Sequence, residues 1–108
     1  MQRDRSGRSG HKDLQVCRQV FDALTYALAE LNDPMIDELA LASVTPAPNA
    51  ARVLVTLVPA RDGIDPAAAL VRLRDAMPDL REEVAAELTR KRVPELVFRI
   101  DHLVDAAT

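Results

Sequence analysis

Aromatic residues are nearly absent: Phe21, Tyr26 and Phe98 are the only three in 108 residues, and there is no tryptophan. The interior must therefore be assembled from Leu, Val, Ile and Ala, and the length suffices for one domain with a single modest core. A lone cysteine, Cys17, excludes an intramolecular disulfide. No Cys/His cluster falls at metal-ligand spacing, so neither metal nor cofactor is expected. No apolar run approaches the roughly 18 residues of a membrane span, and the N-terminus lacks the apolar stretch of a secretory signal. A reducing, cytoplasmic setting without a membrane partner is the expectation. With 48% hydrophobic and 29% charged residues the chain reads as globular, not disordered.

An overall excess of positive charge is missing too. The formal net charge is −3, and it is unevenly spread. Residues 1–12 carry Arg3, Arg5, Arg8 and Lys12 against Asp4, a net of +3, whereas residues 13–108 carry ten basic and sixteen acidic groups, a net of −6. A uniformly basic nucleic-acid binder is thereby excluded, and any polyanion contact must come from the N-terminal segment or a local patch.

What is present is a readable succession of elements. Residues 1–12, rich in Arg, Ser and Gly, offer nothing to bury and are expected to form a flexible basic arm. From Asp13, the residues Cys17, Val20, Phe21, Leu24, Leu28 and Leu31 recur at helical spacing, and Asn32-Asp33-Pro34 ends that helix. Leu39 to Thr45 reads as a strand closed by a Pro46-Ala47-Pro48-Asn49 turn. Arg52 to Val58 reads as its antiparallel partner, with Val53, Val55 and Leu57 on one face and Arg52, Leu54 and Thr56 on the other. After the Arg61-Asp62-Gly63 loop, Asp65-Pro66 marks a helix start. Leu70 and Leu73 face inward, and Ala76-Met77-Pro78 must kink or break the helix. A further helix buries Leu80, Val84 and Leu88 and is expected to end in Arg90, Lys91 and Arg92, where cations complement its dipole. A last strand, Glu95 to Asp101, buries Leu96, Phe98 and Ile100. Residues 13–103 thus form the domain and 104–108 a frayed tail.

The order α-β-β-α-kink-α-β predicts an α+β fold of the type II KH kind: a three-stranded sheet with helices on one face. KH modules clamp single-stranded nucleic acid through a Gly-x-x-Gly turn, and the turn here contains no glycine. Local sequence adds to the order. Asn32-Asp33-Pro34-Met35-Ile36, Ser43-Val44-Thr45-Pro46 with Ala51-Arg52-Val53-Leu54-Val55, Ala76-Met77-Pro78, and Arg92-Val93-Pro94-Glu95-Leu96-Val97-Phe98 resemble, in the same order, segments of the ribosome-binding factor A family. The resemblance spans about residues 12–101. Pro78 stands where the family has glycine: the break in the helix is kept, while the close backbone approach that glycine permits is not.

That resemblance implies a non-enzymatic ribosome maturation factor that binds the small ribosomal subunit and its rRNA late in assembly, as a monomer and without a small-molecule substrate. Candidate RNA contacts are Arg72, Arg74, Ala76, Met77, Pro78, Arg81, Arg90, Lys91 and Arg92, with further contacts from Arg3, Arg5, Arg8 and Lys12. Three consecutive cations exceed what a helix end needs, although exposed helix cations are commonly just solvated. The alternative is a KH-like protein-interaction module without RNA affinity, using the sheet face of Leu54, Thr56 and Val97 or an edge strand. His11 and His102 stand alone, and Asp62, Asp65, Glu82 and Glu83 read as turn, cap and dipole residues. No nucleophile–base pair exists to support catalysis.

Overall fold

Helix α1, Gln2–Glu30, is the longest element, and its apolar stripe organises the rest. The computed structural model describes residues 2–88 and 92–101, the side chains of residues 2–11 excepted. Cys17, Val20, Ala23, Leu24, Ala27 and Leu28 of α1 are buried, and Phe21 and Leu31 are half-buried. The backbone is helical well ahead of Asp13, where the stripe begins.

Asn32 adopts φ 53, a left-handed conformation that asparagine tolerates better than most residues. The chain then turns into a short helix, α2, Pro34–Asp37. At four residues α2 is too short to leave a periodicity in the sequence, and its signature is instead local. Asp33 is extended (φ −100, ψ 115), as a residue before proline tends to be, and its carboxylate accepts from the amides of Met35 and Ile36.

Three strands form one sheet in the order β1-β2-β3. Strand β1 is Leu39–Asn49 and β2 is Arg52–Pro59, paired antiparallel; β3, Glu95–Ile100, pairs parallel to β2. Bonds from Glu95 N–H to Ala51 C=O (3.0 Å) and from Asp101 N–H to Leu57 C=O (2.9 Å) extend the parallel ladder at both ends. The expected Pro46–Asn49 turn is not a turn. Pro46 pairs with Val53 and Asn49 with Arg52, so the hairpin closes only at Ala50-Ala51. Proline is tolerated there because β1 is an edge strand, and the register shifts between Pro46 and Asn49.

Val53, Val55 and Leu57 of the central strand are wholly buried beneath α1 and helix α4, Met77–Glu87, which contributes Leu80 and Val84, with Leu88 just beyond it. The alternation along β2 decides which face the helices cover, because Val53, Val55 and Leu57 all lie on one side while the other carries Arg52 and Thr56 among its residues. Helix α3, Pro66–Asp75, starts at Asp65, whose carboxylate accepts the Ala67 amide, and places Ala69 and Leu73 in the interior. Leu70 is only half-buried. On the opposite sheet face Thr56 is 6% exposed, so it cannot serve as an open contact of the kind expected for it.

Candidate nucleic-acid interface

Two helices meet at Ala76, which ends α3 and begins α4 with φ −85, ψ −3. The Ala76 amide closes α3 on Arg72 C=O, and Ala76 C=O accepts the Leu80 amide of α4, both at 3.0 Å. Pro78 falls in the first turn of α4, where its missing donor has no helical partner to lose. The break expected from the sequence is therefore a clean junction between two helices. Pro78 is exposed, whereas Ala76 and Met77 are half-buried and pack against the core.

The charges around this junction differ from those expected. Arg72 is not a free cation: its Nε lies 3.0 Å from Asp33 Oδ2, and its Nη2 donates to Asp33 Oδ1 at 3.2 Å. Arg74 and Arg81 are exposed, with no ion pair among the described residues. Between the last turn of α1 and the first turns of α4 lies a cleft of about 200 Å³ lined by Glu30, Asp79, Glu82 and Glu83 above Ala27, Leu31 and Leu80. The junction is thus more anionic than cationic, and Asp79 occupies the first turn of α4, where a phosphate would otherwise find free amides.

The remaining candidate cations lie elsewhere. Helix α4 ends at Glu87, with Leu88 already extended (φ −92, ψ 138) and no basic residue in its last turn. Arg92 is exposed in the segment entering β3, so the expected complementation of the dipole by Arg90, Lys91 and Arg92 fails for Arg92. Arg90 and Lys91 lie outside the described residues. An 11-residue helix spans about 16 Å, which separates the Ala76-Met77-Pro78 junction from Arg92. Arg92 therefore lies past the C-terminal end of α4, whereas the Ala76-Met77-Pro78 junction lies at its N-terminal end.

At the Arg92 end three elements converge. Asp13 of α1 accepts the Ala50 amide of the hairpin turn at 3.1 Å, and Ala51 accepts the Glu95 amide of β3 at 3.0 Å. Lys12, Arg52 and Arg92, all exposed, each lie within three residues of one of these bonds. Arg52 is held in place by its Nε, which donates to Ala47 C=O at 3.0 Å. Buried Pro94 and half-buried Val93 anchor the connection behind Arg92. The side chains of Arg3, Arg5 and Arg8 lie outside the described residues, although the α1 backbone leads toward them from Lys12. Such an end can hold phosphates as point charges. Arg52 is not among the candidates from sequence; the hairpin register places it one residue from the Ala51–Glu95 bond, at the end of the sheet where β3 begins.

Among the described residues no cluster of three or more His, Cys, Asp or Glu could hold a metal ion, and no helix is long and apolar enough to cross a membrane. Cys17, buried on α1, has its thiol pushed up by burial and by the nearby Asp13 carboxylate, which leaves it a core residue.

The architecture is a KH-like α+β fold with a three-stranded mixed sheet and helices on one face. Solved structures of ribosome-binding factor A share it. The crystal structure of that factor from Thermus thermophilus matches with a TM-score of 0.70 at 23% identity, covering 82% of this chain and 94% of that one. The solution NMR structure of a Thermotoga maritima protein, proposed as a ribosome binding factor A, matches with a TM-score of 0.64 at 18% identity, covering 94% and 93%. No protein-family model matches the chain, and neither does the sequence of any curated protein. At these identities the likeness is one of fold.

Proposed function

We propose that the chain is a ribosome-associated factor that binds the rRNA of the small subunit during its late maturation, acting in the cytoplasm without catalysis. The observation that carries this reading is the convergence of Lys12, Arg52 and Arg92 at one end of a fold shared with ribosome-binding factor A structures. In sequence that end is flanked by Arg90 and Lys91 on one side and by the net +3 of residues 1–12 on the other. Phosphates held there release counterions, and the binding energy favours whichever rRNA conformation presents its backbone to all three elements. Arg74, Arg81 and the Ala76-Met77-Pro78 junction remain secondary contacts, because the carboxylates of Glu30, Asp79, Glu82 and Glu83 oppose a phosphate there.

Co-sedimentation with small ribosomal subunits tests the proposal. Charge reversal at Arg90, Lys91 and Arg92 together should abolish it while circular dichroism shows an intact fold. Deletion of residues 1–12 should weaken it. Unchanged co-sedimentation of both variants would refute RNA binding at this end.

A further inference from the structure

The two most exposed large apolar side chains among the described residues lie on the same helix: Leu14 is 62% exposed and Tyr26 74%. Arg18 and Asp22 fall between them, so positions 14, 18, 22 and 26 form a ridge of residues four apart, about 18 Å long. Arg18 and Asp22 are both exposed, and neither has an ion pair among the described residues. The ridge borders a trough of about 460 Å³ between α1 and β1, lined by Leu14, Cys17, Arg18, Phe21, Asp22 and Val44 among others.

We propose that this ridge is a self-association surface on which a second copy of the chain docks with its α1 antiparallel, related by a twofold axis through the middle of the ridge. The arrangement is self-complementary. The axis sets Leu14 against the partner's Tyr26 and Arg18 against the partner's Asp22, and each contact is made twice. The phenol ring of the partner's Tyr26 enters the trough beside Leu14. Charge supports the same direction on a longer scale. With position 20 on the axis, the partner's Glu30 falls opposite position 10, within two residues of the exposed Lys12.

Docking by extension of the sheet at β1, the strand that borders the trough, is disfavoured. The free edge of β1 carries Pro46 and Pro48 and a register shift at Ala42, features that block a further ladder. A single helical ridge buries less than the roughly 1,600 Å² of a standard interface, so the association is weak and reversible. The surface goes beyond the ribosomal reading, does not rest on it, and departs from the monomer expected from the sequence.

Sedimentation velocity over a concentration series from about 5 to about 500 µM tests it, this being the range in which a weak complex forms. The wild-type chain should shift from monomer to dimer. Arg18→Asp and Asp22→Arg each place two like-charged pairs across the axis and should weaken association about tenfold or more. The double variant R18D/D22R restores opposite charges and should recover the wild-type constant to within about threefold. Tyr26→Ser should weaken association, whereas Val71→Ser, on the exposed side of α3, should leave it unchanged. Thermal melts of each variant check the fold. A wild-type chain that stays monomeric throughout overturns the proposal, as does a double variant no tighter than either single one.

Discussion

Asp33 and Arg72 join two helices that are distant in sequence. Asp33 Oδ1 receives the Met35 amide at 2.9 Å and the Ile36 amide at 3.3 Å, and the same carboxylate receives the Arg72 guanidinium from α3. One side chain thus caps α2 and holds α3 against it. Burial alone would raise its pKa. The Ile36 amide, Arg72 and the Met35 amide outweigh that effect and hold the carboxyl below the usual range.

Removing that carboxylate should cost more than removing its cation. Asp33→Ala loses a helix cap and an ion pair, an expected cost of about 1–2 kcal/mol. Arg72→Ala loses only a half-exposed ion pair and should cost about 0.2–1 kcal/mol. Urea denaturation of the two single variants and the double variant would measure the coupling. A double variant that simply sums the singles would show that the pair contributes nothing of its own.

The lowered pKa of Asp33 gives a pH dependence with a definite sign. A carboxyl whose folded pKa lies below its unfolded value of about 3.9 contributes stability above that value and loses it as pH falls through the folded pKa. Asp33→Asn keeps a capping oxygen and removes the charge. The stability difference between wild type and Asp33→Asn should therefore be constant above about pH 5 and shrink below about pH 4. A difference that stays flat down to about pH 2 would mean that the charge is immaterial.

The two ends of α4 should behave differently toward RNA. Each phosphate contact on a single strand contributes about 0.7 to the slope of log affinity against log salt. Lys12→Gln and Arg92→Gln should each reduce that slope by about that amount with a single-stranded rRNA fragment. Arg74→Gln and Arg81→Gln should change it little, because the carboxylates of the adjacent cleft already oppose phosphate there. The reverse ranking would return the interface to the helix junction.

The core predicts one large effect and one protected thiol. Leu57→Ala on the central strand empties a fully buried site and should destabilise the fold by about 2–5 kcal/mol. Cys17, 3% exposed, should react with a thiol reagent only as fast as the protein opens, so labelling should accelerate in the Leu57→Ala variant. Rapid labelling of the native wild-type chain would place Cys17 at the surface.

Local chemistry in the sequence determined the elements. The stripe on α1, the alternation in Val53, Val55 and Leu57, the Asp65-Pro66 start and the break at Ala76-Met77-Pro78 each depend on neighbours a few residues away, so each was legible in one dimension. What depended on partners far along the chain was not. Pro46 and Pro48 could join a strand because β1 lies at a sheet edge, Arg72 lost its free charge to an aspartate that precedes it by 39 positions, and Arg92, expected to close α4, came to lie past its end in the segment entering β3. Periodicity records which face of a segment is buried. Only the packed structure decides which charges face one another, because Coulomb and hydrogen-bond terms act through space and leave no period in the chain.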